Sequence, residues 1–285
     1  MYFISLSTLT RVEECLMVDI VVYIVSGGIL GFLIGLTGVG GGVLAVPVLI
    51  LIIKLKPIEA VGTAGLYAVL TKIYAGFKHY RQGTINFKAS LHFLINSLPG
   101  VIIASLLVKW SKSILLPAGV ARLQDAISYT IIVSILFALF TVLIDYSKLK
   151  ISFFETTAGR IVQIAFVFLI GAIMGMTSIG GGILIIPSLL FFYKEKDMYV
   201  GSSIFIALIS MTVMSGIYAF IGQSDGGHSG DVNFKVALLM AAGALGGTHF
   251  GVTLSKKIGG RKLQFVVFGV IILAVIMMIL DRTMH

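Results

Sequence analysis

Two stretches of this chain have the residue types and spacing to hold a small anion on bare backbone. One runs from Gly31 to Ile50 and the other from Gly171 to Leu190. They align without a gap at an offset of 140, with nine of twenty positions identical, including Gly40-Gly41-Gly42 with Gly180-Gly181-Gly182 and Pro47 with Pro187. Three consecutive glycines followed five residues later by proline, twice, mark an internal duplication. Each glycine run interrupts an apolar segment, and a short helix is expected to start from it. A helix start leaves backbone N–H groups unpaired and carries about half a positive charge. Glycine lets an anion approach those groups without a side chain in the way. The expected binding set is therefore Thr37, Gly40, Gly41 and Gly42 from the first stretch, with Thr177, Ser178, Gly180, Gly181 and Gly182 from the second. Thr63, Ser202 and Ser203, at the starts of the segments that follow, supply further hydroxyls. The competing reading is that glycine-rich breaks only permit close packing. The matched proline and the duplication favour the binding reading.

Three more side chains are candidates for gating or proton coupling. Lys72 lies inside an apolar segment, where an ionisable group is costly and is often retained for function; the alternative is that it snorkels to the segment end. Histidine is the residue type suited to relaying protons, so His92 or His249 could do so, against the plainer role of a neutral, hydrogen-bonded ring. No spacing of His, Cys, Asp and Glu suggests a metal site, and Cys15 stands alone. No HExxH, GxSxG, P-loop or intramembrane carboxylate pair is present, so the reading is not an enzyme, needs no cofactor and takes its energy from gradients or a partner.

The elements that must position these residues are membrane helices. Of 285 residues, 58% are hydrophobic and 12% charged, with a mean hydropathy of +1.07. A soluble domain carries about a quarter charged residues. The apolar runs mostly reach the roughly 20 residues that cross a hydrocarbon layer as helix, and they lack the alternation of a membrane β-barrel. The fold class is an all-α polytopic membrane protein. The formal charge of +9 suits basic cytoplasmic loops and anionic headgroups, and it could draw an anion to the pore; nucleic acid is not expected.

Read in order, residues 1–17 are an N-terminal extension, 18–147 the first repeat, 148–160 a linker and 161–285 the second repeat. Each repeat has four long segments and one short one, Val43–Ile53 or Ile183–Tyr193. Gly27, Gly31 and Gly35 share one helix face, as do Gly243, Gly247 and Gly251, and both faces are expected to pack closely. His92, Asn96, Gly100 and Ala104 share another. Thr63, Tyr67, Thr71, Tyr74 and Lys78 form a polar stripe at helical spacing. Inverted repeats are preferred over parallel ones, because inversion lets the two breaks meet near the bilayer midplane. The cluster Lys256, Lys257, Arg261 and Lys262 places the loop that holds it on the cytoplasmic side.

The paired Gly-Gly-Gly-x-Leu-x-x-Pro stretches, with Val61-Gly62-Thr63, Val200-Gly201-Ser202-Ser203 and Gly83-Thr84-Ile85-Asn86, resemble the signature elements of the TauE/SafE family. That group comprises sulfite exporters and toluene-sulfonate uptake permeases. The resemblance covers about residues 20–280. Gly62-Thr63-Ala64 departs from it by lacking the serine that follows threonine. The resemblance implies a prokaryotic carrier, multi-pass in the inner (plasma) membrane, whose substrate is a sulfite, sulfonate or thiosulfate-class anion and whose driving force is the proton gradient. Its other partners would be the lipid bilayer and, as an option, a second copy in a homodimer. An anion channel, or a membrane scaffold or sensor without flux, are the alternatives.

Overall fold

In a computed structural model, the described residues are 6–37, 42–143, 157–180, 182–192, 198–221, 230–255, 269, 272–273 and 275–280. Nine helices are described among these residues: α1 (Leu6–Thr37), α2 (Gly42–Leu51), α3 (Pro57–Arg81), α4 (Phe87–Ile114), α5 (Pro117–Leu143), α6 (Thr157–Thr177), α7 (Gly182–Phe192), α8 (Tyr199–Phe220) and α9 (Phe234–Ser255). Six of the described helices are long and apolar enough to cross a membrane: α1, α4, α5, α6, α8 and α9. The short α2 and α7 are the two proline-bearing elements expected after the glycine runs. Lipid offers no partner to backbone N–H and C=O groups, so an all-helical solution follows.

Several boundaries differ from expectation for local reasons. Helix α1 begins at Leu6, so it runs through residue 17 without a break there. The stretch from Lys112 to Arg122 is mostly helix, because α4 continues to Ile114 and α5 opens at Pro117. Proline at a helix start has no N–H to leave unpaired and its φ is already helical. The part of the second repeat after Ser255 lies largely outside the described residues.

Helix α3 has 25 residues but a mixed composition, with Glu59 in its first turn and Lys78, His79 and Arg81 in its last. It is the central helix, packed on α8, α9 and α2. Its charged residues sit mainly at its two ends, which explains why α3 is less hydropathic than its neighbours. The expected polar stripe is not one environment. Thr63 and Tyr67 are buried, whereas Tyr74 and Lys78 are exposed.

The glycine faces pair with each other. Gly27, Gly31 and Gly35 lie against Met240, Ala244 and Thr248, while Gly243, Gly247 and Gly251 lie against Ile24, Gly28 and Phe32. Residue numbers rise together on both helices, so α1 and α9 run in the same direction. A Cβ on Gly247 would collide with the Gly28 carbonyl, and one on Gly31 with the Ala244 carbonyl. Without a hydrophobic drive between helices in lipid, such close backbone contact is what holds a pair together.

Three of these contacts, those of Gly31, Gly35 and Gly247, have counterparts between α6 and α4. Gly171 meets Ser97, Gly175 meets Val101, and Gly100 meets Phe168 and Ala172. Adding 140 to the α1 numbers and subtracting 147 from the α9 numbers converts one set into the other. The duplication is thus a repeat of contacts as well as of letters. The sequence repeats are not separate bodies: α1 of the first packs on α9 of the second, and α6 of the second on α4 of the first. At the centre, Gly62, Gly65 and Gly76 of α3 meet Tyr218, Met214 and Leu208 of α8. Numbers fall on one helix as they rise on the other, so these matched helices are antiparallel, the relation that inverted repeats require. Antiparallel α3 and α8, with α6 parallel to α4, leave α6 and α8 running the same way, so the short α7 returns the chain toward the side it came from; α1 running parallel to α9 requires the same of α2.

Candidate functional site

The α6–α7 break is built by Thr177 and Ser178. Thr177 Oγ1 donates to the Ile173 carbonyl at 2.7 Å and accepts from the Ile179 N–H at 3.2 Å. Ser178 takes a φ of +57°, and its N–H donates to the Met174 carbonyl at 2.9 Å. A left-handed residue just past the last turn is a common way to end a helix; in serine it is uncommon and marks a constrained turn. Ser178 is buried, and its hydroxyl donates toward Met211 Sδ at 3.6 Å. Gly180 is buried against Met174 and Met211, with Met211 Cε 2.7 Å from where a Cβ would stand. The hydroxyl hydrogen of Thr177 is therefore spent on capping.

The two breaks abut. Gly42, the first residue of α2, lies directly against the Ser178 carbonyl and 3.7 Å (measured to a Cβ position) from Ile179 Cα. Gly65 of α3 closes the same corner, 3.8 Å from Ser178 Oγ by the same measure. Gly42 and Gly182 both start short helices as expected. Gly40, Gly41 and Gly181 lie outside the described residues, as does the side chain of Thr37.

Thr63 and Ser202 serve a matched purpose. Thr63 Oγ1 accepts from the Asn233 N–H at 2.9 Å, and Ser202 Oγ accepts from the Asn86 N–H at 2.9 Å. Asn86 and Asn233 in turn accept from Ala89 N and Val236 N, capping α4 and α9. The two clasps sit toward opposite ends of the α3–α8 pair, about 20 Å apart at 1.5 Å per residue. Ser203 Oγ donates to its own helix at Val200 O, 2.8 Å. Thr63 and Ser202 thus join helices of different repeats, whereas Ser203 bonds within its own helix.

His92 and His249 are both exposed on the outer faces of α4 and α9, the second with its ring edge-on to Phe250. Lys72 is 8% exposed, near the middle of α3, and no hydrogen-bond or ion-pair partner is found for it among the described residues.

An ion cluster has no signal in the sequence. Lys109 Nζ donates to Asp231 at 2.5 Å and to the Tyr218 carbonyl at 3.5 Å, and Lys112 holds the other carboxylate oxygen. Tyr218 Oη reaches the Gly175 carbonyl at 3.1 Å, one turn before the α6–α7 break. A polar cavity of about 150 Å³, lined in part by Glu59, Gln124, Lys112 and Asp231, adjoins the cluster. Asp231 lies more than 100 positions from either lysine, so spacing does not reveal the pairing. At the matching position of the other clasp stands Thr84, whose hydroxyl pairs with His79 Nδ1 at 2.8 Å.

Comparison with known proteins agrees with this architecture. The family model described as sulfite exporter TauE/SafE matches residues 23–278. Two probable membrane transporter proteins of Bacillus subtilis (strain 168), YjnA and YunE, are each 29% identical, over 88% and 89% of this chain and 96% and 94% of their own lengths. A probable membrane transporter protein of Methanocaldococcus jannaschii, MJ0441, is 27% identical over 87% of this chain and 91% of its own. No solved structure matches. The match over nearly the whole chain, on a multi-pass helical frame whose two glycine breaks touch, places this protein in the TauE/SafE family of membrane transporters.

Proposed function

We propose that the protein is a secondary transporter of small sulfur-containing anions, of the sulfite, sulfonate or thiosulfate class, working by alternating access across the inner membrane. The observation that carries this reading is the meeting of the two breaks at Gly42 and Ser178, in a chain whose matched central helices run antiparallel. Broken helices at corresponding positions of two repeats are a transporter's usual way of presenting positive helix ends to an anion. Gly42, Gly180, Gly182 and Ser178 are the described part of that set, with Gly40, Gly41 and Gly181 completing it. The family description supports the sulfur-anion class.

The moving bodies are mixed in sequence. One contains α1, α2, α3 and α9, the other α4, α6, α7 and α8, and they slide at the α3–α8 contact. The bundle end carrying Lys78, Arg81, Lys88 and Arg160, from which the basic stretch at Lys256 departs, faces the cytoplasm. Purified protein in proteoliposomes tests the reading. Radiolabelled sulfite, thiosulfate and taurine are offered with and without a pH gradient, and with unlabelled anion inside. Saturable uptake of at least one anion, accelerated by internal anion, is expected. Absence of flux for all three would reject the sulfur-anion assignment, and unsaturable current would replace the carrier with a channel.

A further inference from the structure

The chain crosses between the two moving bodies at matched places. The count that carries Asn86 to Asn233 carries Thr84 to Asp231 and Ile85 to Val232. At the cytoplasmic end, the Thr84 N–H donates to the His79 carbonyl of α3 at 3.2 Å, and Asn86 caps α4. At the outer end, the Asp231 N–H donates to the Tyr218 carbonyl of α8 at 2.9 Å, and Asn233 caps α9. Each crossover therefore leaves one residue, Ile85 or Val232, between an anchor on one body and an anchor on the other.

The anchors at the two ends are unequal. Asp231 is buried, and its carboxylate is held by Lys109 at 2.5 Å and by Lys112, both on α4. Lys109 also reaches the Tyr218 carbonyl at 3.5 Å. Thr84 brings no carboxylate to the matching place, and its hydroxyl bonds to His79. Hydrogen bonds with ionised partners are roughly twice as strong as neutral ones. Two backbone steps, from Asp231 to Asn233, span at most about 7 Å. With both anchors in place, the outer ends of α3 and α8 are leashed together. Asn233 belongs to α9 through its cap and to α3 through Thr63, so Asp231 is the anchor that lets go. The polar cavity lies on this seam, with Lys56 and Glu59 on the α3 side and Lys112 and Asp231 on the other. Tyr218 carries the connection inward, its hydroxyl on the Gly175 carbonyl before the α6–α7 break.

We infer that Asp231, with Lys109 and Lys112, is the latch of the transporter's outer gate. The outer end of the α3–α8 seam opens when the Asp231 carboxylate leaves the two ammoniums. The cytoplasmic end opens once Thr84 parts from His79. Opening outward therefore costs more than opening inward, and the protein without substrate rests closed on the outside. This rests on the alternating-access reading and deepens it by naming the residues that hold one side shut.

Asp231→Asn with Lys109→Met removes the latch without stranding Lys109. Two single-cysteine reporters are placed on a Cys15→Ser background. Ile58→Cys marks the outer seam, where Ile58 is buried and lines the cavity. Ile204→Cys marks the cytoplasmic half, where Ile204 packs toward Gly76. Purified protein in detergent is labelled with a water-soluble maleimide, and uptake of sulfite and thiosulfate is measured in proteoliposomes. Loss of a hydrogen bond to a charged group shifts an equilibrium about tenfold to a hundredfold, and loss of a neutral one about twofold to tenfold. The double variant is thus expected to raise the labelling rate at the outer reporter at least about tenfold and to lower it at the inner one. Thr84→Val should move both reporters the opposite way by the smaller factor. A rise at the outer reporter without a fall at the inner one means that the cluster only holds the fold together, and it overturns the latch. A larger shift from Thr84→Val than from the double variant overturns it too. Opposite shifts at the two reporters, with no uptake of either anion by wild type, uphold the latch and remove the transport reading. Wild-type uptake with both reporters unmoved removes the latch and leaves transport standing.

Discussion

At the scale of single residues, the decisive pairings cross the whole sequence. The Thr63–Asn233 and Ser202–Asn86 bonds span 170 and 116 positions. The sequence shows matched hydroxyls at helix starts, which invites a binding role, because nothing local says which donor they face. Each hydroxyl accepts from the N-terminal residue of a helix in the other repeat. Thr63→Val and Ser202→Ala should each lower stability by about 1 kcal/mol, the usual worth of such a bond, with a further loss where the N–H is left dry. Chemical denaturation in detergent would show it, and an unchanged midpoint for both would argue that the clasps are dispensable. Asp231 is a larger stake. It is buried between Lys109 and Lys112, so Asp231→Asn strands a buried ammonium. The expected cost is about 3–5 kcal/mol, read as loss of monodisperse protein at ordinary temperature. The double change Asp231→Asn with Lys109→Met should recover much of it, because the uncompensated charge is gone. Trp110 is exposed, while its neighbour Lys109 turns inward to Asp231, an acid that the sequence gives no reason to choose.

At the scale of helices, glycine spacing is readable from the chain and partner choice is not. Four-residue spacing puts Gly27, Gly31 and Gly35 on one face for any helix, and the same holds for Gly243, Gly247 and Gly251. That these faces meet each other, in parallel, depends on where the chain turns between them. Gly247→Ala and Gly100→Ala introduce a methyl group against a backbone carbonyl on the facing helix, which cannot move aside as a side chain can. Each should cost about 1–3 kcal/mol or force the pair apart. Gly246→Ala is the control on α9, because nothing lies within 4 Å of its Cβ position. Thermal midpoints should fall for the first two and hold for the third; equal behaviour of all three would contradict the close packing. Where α4 ends and α5 starts is not legible in the sequence, because polar residues near a bilayer surface fit either helix or loop. Pro117 is better placed as a first helical residue than as part of a loop.

At the scale of the whole molecule, the repeats exchange helices. Because α1 leans on α9 and α6 on α4, neither repeat can complete its packing alone. Fragments 1–147 and 148–285, tagged differently and co-expressed, should co-purify, whereas each expressed singly should aggregate in detergent. Separate, soluble, folded fragments would disprove the exchange. Composition and run length alone made this an all-helical membrane protein, since a backbone in lipid has few ways to satisfy its hydrogen bonds. The duplicated glycine–proline stretches told where the helices break, because glycine and proline act through the local backbone. Which helices touch, which way α3 and α8 run against each other, and that Ser178 meets Gly42 were left to tertiary structure. Those facts depend on contacts between residues far apart in the chain, and a helix face of small residues accepts any partner that can come close enough.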